Sequence, residues 1–208
     1  MKPRHSHLIR ELDLSAPAEI ERFERAFYEG FAHATHNRLV RSLWDWDHEA
    51  RRLRTRILYS DQRAWALVND DGAFDAALSV NVRLRTLQCA AYGFALPPEL
   101  VADAAAGHVC EFLTFFAVGD RSLSSKHALL NTLIDDLCGT GITHALATTA
   151  PKALPMYRYL GVRIIGEAHI EGEIRYFLQF DAASRSAKNG ATRARALTSA
   201  QIPRSPSL

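Results

Sequence analysis

Basic residues stand where the sequence predicts the start of a helix. Ser124 and Ser125 are both able to cap the free amide groups of its first turn, and apolar residues then repeat at helical spacing. The first turn carries Lys126 and His127, with Arg121 just before it, although acidic residues are the ones that suit the positive end of a helix. Such a cationic start is suited to binding an anion such as a pyrophosphate. An ordinary strand-to-helix connection with solvated basic residues is an equally open interpretation of this stretch.

An apolar strand is predicted just before this helix. Residues 111–118 include three phenylalanines, a threonine and a valine, which give high β-propensity and an almost continuous apolar run. Such a run predicts a central strand in a sheet that is covered on both faces. Glu111 opens the strand, and a carboxylate at the entrance of an apolar strand should have a raised pKa, which makes it a candidate base. The alternative is a surface residue at a strand end.

Two motifs taken together resemble the GNAT acyltransferase superfamily. In that family a strand leads to an Arg-x-x-Gly-x-Gly loop and a helix, and a later short helix ends in a Leu-Tyr-x-x-Leu-Gly-Phe type sequence. Here Arg121 opens the loop, and Tyr157 and Gly161 occupy the tyrosine and glycine positions of the second motif. Ser124 and Lys126 stand in place of the two loop glycines.

A closer resemblance covers about residues 80–175. It is to the acyl-homoserine-lactone (autoinducer) synthases and the related N-acyl amino acid synthases of that superfamily. Arg83 lies in a segment similar to their Arg-Leu-Leu-Pro-Thr strand end, and residues 94–118 resemble the insertion that leads into their Trp-Glu-x-Ser-Arg-Phe-Ala-Val strand. Aligned on this strand, the family arginine becomes Phe115, and the family glutamate falls one residue from Glu111.

The resemblance implies a reaction in which an amine attacks an acyl thioester and expels a thiol. It implies that Tyr157 protonates the departing thiolate, although a half-buried structural tyrosine is the alternative. It also implies that backbone amides near Phe116, Ala117 and Val118 anchor the thioester, where the strand splays from its neighbour. The donor is then acyl-coenzyme A or an acylated carrier protein, whose phosphopantetheine arm would meet the basic residues at the helix start.

The acceptor is expected to lie near a segment rich in tryptophan and charge, residues 42–56. In the autoinducer synthases a comparable region holds carboxylates that bind S-adenosylmethionine. By this resemblance Trp44, Trp46, Arg83 and Phe115 are the candidate substrate-binding residues, whereas most such charged runs are self-paired surface. A second segment, the apolar insertion that begins at Leu87, either walls an apolar tunnel or only covers the core.

Composition excludes several functional classes. The chain has 208 residues, 48% of them hydrophobic, and a net charge of +2, so nothing indicates a nucleic-acid partner. No apolar run reaches the roughly 18 residues of a membrane span and no signal peptide is recognisable, which predicts a cytoplasmic protein. The three cysteines are widely separated, and His33 and His36 lack a third ligand, so no metal site is predicted.

The order of predicted elements indicates an α/β fold. We expect a GNAT-like mixed, mostly antiparallel sheet of six or seven strands with helices on both faces. Residues 1–181 should form this single acyltransferase-like domain, followed by a basic and disordered tail over 182–208. The first helix is predicted over residues 16 to about 42, with Ser15 as its cap and Pro17 in its first turn.

Three functions remain open at this point. The first is an N-acyltransferase that acts on the amine of a small acceptor, such as an amino acid. The second is an acyl-homoserine-lactone synthase that uses S-adenosylmethionine, against which the missing strand arginine counts. The third is a GNAT-fold protein that binds a partner or an acyl ligand without catalysis, which the replaced loop glycines suggest.

Overall fold

A seven-stranded sheet organises the part of the chain that the structure describes. The computed structural model describes residues 8–34, 38–118, 123–159 and 161–182. The strands in these ranges are β1 (Leu8–Glu11), β2 (Asp45–Asp47), β3 (Arg52–Arg54), β4 (Gln62–Val68), β5 (Phe74–Asn81), β6 (Val109–Ala117), β7 (His144–Thr149), β8 (Arg163–Ile170) and β9 (Glu173–Asp181). The α-helices are α1 (Pro17–Phe31), α2 (Arg38–Leu43), α3 (Val101–Ala105), α4 (Leu123–Gly139) and α5 (Leu154–Tyr159).

The strand order is β1-β4-β5-β6-β7-β9-β8, and β2 and β3 form a separate small hairpin. Neighbouring strands in the large sheet are antiparallel, apart from the parallel pair of β6 and β7. The mixed, mostly antiparallel sheet predicted from the sequence is therefore confirmed, with β6 at its centre as expected. The last strand, β9, pairs on both sides, so β8 occupies the edge.

Helix α4 covers one face of the sheet. Its apolar side chains Leu130, Leu133, Ile134 and Leu137 are no more than 2% exposed, and they pack in one core with strand residues such as Trp65. Residues three and four positions apart lie on the same side of a helix. The apolar residues that repeat at this spacing in the sequence are therefore the ones that face the core. Removing one such buried leucine side chain typically costs about 2–5 kcal/mol, so this face holds α4 firmly in place.

Helix α1 covers the opposite face, against β6. The ring of Phe27 stacks on Phe116 at 5.2 Å between centroids and meets Trp44 edge-on at 4.8 Å. Gly30 lets the helix come this close, because a Cβ atom at that position would lie 2.8 Å from the Phe116 ring. Helices on both faces of the sheet, as predicted, are thus confirmed.

Two local expectations about α1 are wrong. The helix ends at Phe31 and a 3-10 turn follows, so the predicted helix over 16 to about 42 is divided, with α2 as a separate element. Ser15 does not cap α1, because its hydroxyl donates to Asp13 at 2.6 Å and Ala16 occupies the cap position. Pro17 does stand at the start of the helix, where its missing N–H costs nothing.

The ends of the chain show two further features. Strand β1, which the sequence did not reveal, is a four-residue edge strand. The basic tail predicted from 182 onward lies outside the described residues, except for Ala182, which is buried and whose amide donates to Thr143. None of the helices in the described ranges has the length and apolar character needed to cross a bilayer.

The edge strand β1 is tied to α1 by a charged pair. Both terminal nitrogens of Arg10 donate to the Glu19 carboxylate, at 2.7 and 2.6 Å, and the amide of Asp13 adds a third bond at 3.0 Å. The hydrogen bond from Arg10 is the main reason that the pKa of Glu19 falls from its ordinary 4.5 to about 2. The ionised carboxylate therefore stabilises the folded chain relative to the unfolded one.

We expect acid to remove this contribution. A lowered pKa in the folded state means that the stabilisation is complete above pH 4.5 and is lost as the pH falls toward about 2. Glu19→Gln should therefore lower the free energy of unfolding at pH 7 and have little effect at pH 2, as measured by urea denaturation. A matched control is Glu21→Gln, which removes a carboxylate that is 45% exposed. Equal losses for Glu19→Gln at both pH values would contradict this account.

Candidate functional site

The sheet opens between its two parallel strands. Strand β6 pairs with β7 only from Val109 to Glu111, opposite His144 to Leu146. Both strands continue beyond these pairs, β6 to Ala117 and β7 to Thr149, while β6 remains paired with β5. The two strands therefore diverge into a wedge, as the family resemblance implied.

A cleft of about 510 Å³ occupies this wedge and is lined from both faces of the sheet. Three of the side chains singled out in the sequence meet on its walls, namely Trp44, Phe115 and Tyr157. Gln88 and Tyr92 of the apolar insertion also line it, so this insertion walls the cleft rather than only covering the core.

A smaller cavity of about 250 Å³ adjoins the cleft at the beginning of α4. Its lining includes Phe116, Ala117 and Lys126, and it shares Phe115 with the cleft. These residues form a path from the cationic helix start to the wedge. His127 follows in the same turn and lines neither cavity.

Three other residues of the predicted donor site are less fully defined. Arg121 lies outside the described residues. The backbone of Ser124 and Ser125 belongs to the first turn of α4, as predicted, and their side chains lie outside the description.

The backbone amides of β6 divide between the two sides of the strand. The amide of Val118 donates to the Asp75 carbonyl at 2.8 Å, on the β5 side, so it does not face the wedge. Amides alternate along a strand, which directs Phe116 to the β5 side as well and directs Phe115 and Ala117 toward β7. Since β7 has diverged there, the Ala117 amide is the donor of the predicted trio that points toward the wedge, and Ala117 lines the smaller cavity.

A bulge in β6 shapes the wall at this point. Phe112 pairs with Val80 and Thr114 pairs with Ser79, so Leu113 is the extra residue between them. Bulges bend a strand and turn its side chains, and they are frequent beside active sites. The Leu113 carbonyl accepts a hydrogen bond from the Gln88 side chain at 2.9 Å. This bond gives a partner to a carbonyl at the position where the pairing with β5 is interrupted.

Tyr157 reaches the cleft from α5. It packs beside the core on the α4 face, and burial raises its pKa to about 12. The phenol is therefore protonated at neutral pH and remains able to donate a proton or a hydrogen bond. This is the state that a general acid requires.

Glu111 is not a surface residue, so that alternative is wrong. Its side chain is 2% exposed and accepts the backbone amides of Cys89 at 2.7 Å and Gln88 at 2.9 Å. Burial raises the pKa of its carboxyl, as predicted, although the hydrogen bonds from these amides oppose the shift. Glu111 does not line the cleft and instead holds the turn that places Gln88 there.

Gln88 connects this buried carboxylate to the cleft, and the sequence analysis missed it. Its side-chain oxygen accepts from the Trp44 indole at 3.0 Å, and its amide group donates to Leu113. A glutamine at the start of an apolar insertion was a weak signal by itself. Its partners lie 23 to 44 residues away in sequence, which local patterns do not reveal.

Two of the predicted acceptor residues lie elsewhere. Trp46 stacks on His48 at 5.6 Å and donates to the Val40 carbonyl, and it does not line the cleft. Arg83 is exposed and also lies outside the cleft lining. Asp45, an acid of the same charged segment, pairs with Arg56 of that segment at 3.2 Å. The self-paired interpretation therefore holds for Asp45, whereas Arg51 and Arg52 of the same segment pair with Glu29 and Glu24 of α1.

Two cations that were not predicted to belong to the site, Lys152 and Arg175, line the cleft, and Arg175 is paired with Glu173. Lys152 lies in the turn after β7, and Arg175 lies on β9, beside the end of β7. No acidic side chain is among the described residues that line the cleft. Within the same described ranges, histidine, cysteine and acidic residues do not gather in the threes that a metal ion would need.

Solved structures with the same fold were found by comparison of coordinates. The coenzyme A-dependent acyl-homoserine lactone synthase BjaI aligns over 88% of this chain and 87% of its own, with a TM-score of 0.65 and 13% identity. FeeM, an N-acyl amino acid synthase from uncultured soil microbes, aligns over 86% and 98%, with a TM-score of 0.60 and 15% identity. A putative acetyltransferase from Acinetobacter baylyi aligns over 86% and 94%, with a TM-score of 0.54 and 12% identity.

These likenesses concern the fold. The sequence itself matches no protein-family model, and the search among curated proteins also gave no significant match. The resemblance to autoinducer synthases and N-acyl amino acid synthases is confirmed at the level of three-dimensional structure, over nearly the whole length of the solved chains.

Proposed function

We propose that this chain is an N-acyltransferase that moves an acyl group from a thioester donor to the amine of a small acceptor, such as an amino acid. The observation that carries the proposal is the wedge between β6 and β7, where the cleft lined by Tyr157 adjoins the smaller cavity lined by Ala117. The shared fold with acyl-homoserine lactone, N-acyl amino acid and acetyl transfer proteins supports it.

The donor enters past the start of α4. Lys126 contacts its phosphate groups, assisted by Arg121, Ser124, Ser125 and His127, whether the pantetheine arm belongs to coenzyme A or to a carrier protein. Charge-assisted bonds to phosphate are about twice as strong as neutral ones, so the basic helix start is an effective anchor. The arm then follows the smaller cavity, and its thioester lies beside Ala117.

The chemical step uses three groups. The Ala117 amide donates to the thioester oxygen, and this bond strengthens as the amine nitrogen attacks and negative charge develops there. Collapse of the intermediate breaks the carbon–sulfur bond, Tyr157 gives its proton to the thiolate, and the phenolate takes a proton back from water before the next cycle. The amine proton leaves through water beside Gln88, which Glu111 holds in place, so a role for Glu111 as base is indirect.

The charge of the cleft favours this function over the synthesis of acyl-homoserine lactones. S-adenosylmethionine carries a positive sulfonium besides its amino acid group, and no acid in the described lining of the cleft is available to the sulfonium. The carboxylate of Asp45, on the segment expected to bind it, is paired with Arg56 instead. A non-catalytic binding protein is the remaining alternative, which a direct assay separates from an enzyme.

The decisive assay combines purified protein with acyl-coenzymes and acylated carrier proteins of several chain lengths. Each donor is offered a panel of amines that includes amino acids and S-adenosylmethionine, and free thiol and product mass are measured. We expect thiol release that depends on the amine and an amide product of matching mass. Binding of donors without thiol release for any amine would identify the non-catalytic alternative.

Replacing Arg121 and Lys126 together by alanine should mainly weaken donor binding. A charge-assisted pair on a phosphate is worth more than about 1.5 kcal/mol, so we expect the KM for the donor to rise at least tenfold with little change in kcat. Initial rates at low salt give both constants. Arg163→Ala, which removes an arginine that is 65% exposed on β8, is the matched control. An unchanged donor KM would exclude these two residues from the site.

A further inference from the structure

Arg175 is a largely enclosed cation whose hydrogen bonds are incomplete. Its side chain is only 12% exposed, and it lines the cleft. One terminal nitrogen contacts the Glu173 carboxylate at 3.2 Å. The Nε atom is buried, and no acceptor for it is present among the described residues.

Such an arrangement indicates a missing anion. A buried donor without a partner is costly, and the cost is larger when the group is charged. The Nε and one terminal nitrogen of a guanidinium form a planar fork, which matches the two oxygens of a carboxylate. The ring of Tyr92 lies 5.8 Å from the guanidinium carbon and limits its movement.

The position of this fork identifies which substrate would bring the anion. Arg175 lines the larger cleft, whereas Lys126, where the proposed donor path begins, lines only the smaller cavity. The phosphates of the donor therefore lie at the other end of the path, and its acyl chain carries no charge. Lys152 adds a second cation to the cleft, and Glu173, which pairs with Arg175, is not part of the described lining.

We propose that Arg175 binds the carboxylate of the acceptor, so that the acceptors are amines that also carry a carboxylate, such as free amino acids. This inference rests on the function proposed above, which requires only an amine. With its carboxylate on Arg175, the acceptor lies across the wedge from Tyr157, and its nitrogen faces the thioester. Arg175 thus determines which amines are used and takes no part in the proton transfers.

The test compares each free amino acid with its own amide, which keeps the amine and the side chain but has no carboxylate. We expect the native protein to prefer the free acid by about 10- to 100-fold in kcat/KM, the usual worth of a bond to a charged group. Arg175→Gln should abolish this preference by raising the KM of the acid alone. Arg175→Lys should restore part of it, and the donor KM should be unchanged in both variants.

Two further measurements separate the possible outcomes. Arg163→Gln, at an exposed arginine of the neighbouring strand, controls for loss of a positive charge on the sheet. Calorimetric titration of the protein with the free amino acids, without any donor, reports binding independently of turnover. If the native protein binds free amino acids and Arg175→Gln does not, the carboxylate site is supported. This holds even if no thioester is consumed, and in that case only the proposed acyl transfer would fail.

Several results would overturn the inference. Equal rates with acids and amides in the native protein would show that the carboxylate is not recognised, although acyl transfer itself would stand. A rise in the donor KM for Arg175→Gln would assign the residue to the donor. Absence of amino acid binding by titration together with absence of any preference in turnover would also reject it.

Discussion

Tyr157→Phe should lower turnover by about 10²–10⁴-fold, the usual contribution of a positioned general acid. The substitution deletes one hydroxyl and almost no volume, so the fold and the KM for the donor should be unchanged. Burial keeps the phenol protonated by raising its pKa to about 12, so the native residue has its proton available at every pH used in the assay. Single-turnover measurements of thiol release report the chemical step directly.

The leaving group offers a second test of the same role. A donor with a more acidic thiol needs less help from an acid, so the defect of Tyr157→Phe should shrink as the thiol pKa falls. Tyr176→Phe is the matched control, because Tyr176 lies beside the same core and does not line the cleft. A structural tyrosine would give no trend with thiol pKa. Normal turnover of Tyr157→Phe with every donor would remove the proposed acid and favour a non-catalytic function.

Glu111→Ala should cause a large loss of stability. The change leaves the buried amides of Gln88 and Cys89 without an acceptor, at about 1–3 kcal/mol each. We therefore expect the free energy of unfolding to fall by about 2–6 kcal/mol in urea denaturation. Glu167→Ala, at a carboxylate that is 47% exposed, should change it by less than about 0.5 kcal/mol. Similar effects of the two variants would contradict the structural role of Glu111.

Glu111→Gln then separates a positioning role from a base. If Glu111 accepts the amine proton, the loss in turnover should be partly recovered at high pH, where the acceptor amine loses its proton without help. If Glu111 acts only by holding the turn at Gln88, the loss should be the same across the pH range. The pH profile of kcat therefore measures its contribution to chemistry, and the melting temperature measures its contribution to the fold.

The sequence was most informative where physical signals are local. The apolar run of β6 and the helical spacing of α4 both describe how one element meets the core, so the central strand and its covering helix were predictable. Strand β1 was missed because four residues at a charged edge bury too little to leave a periodic pattern. The end of α1 was missed because Gly30, one residue before it, was not used as an end signal, although glycine weakens a helix.

The cleft was predictable only in part. Trp44, Phe115 and Tyr157 were identified through family resemblance, since their spacing alone does not bring them together. Gln88 and Arg175 were missed because hydrogen bonds and strand pairing between distant segments place them in the cleft. The divergence of β6 from β7 left no trace in the sequence, because a strand keeps its alternation of side chains whether or not its neighbour is paired.

The short ladder between β6 and β7 also bears on how this chain folds. Strands β4, β5 and β6 follow one another in sequence and in the sheet, and β7, β8 and β9 form a second group of close neighbours. Within these groups, β4 and β5 and also β8 and β9 are joined by short turns, which cost little chain entropy, whereas residues 82–108 connect β5 to β6. The two groups meet through three residue pairs and the crossover of α4. The cleft lies at that joint, so the site does not exist in either half of the fold and is created by their union.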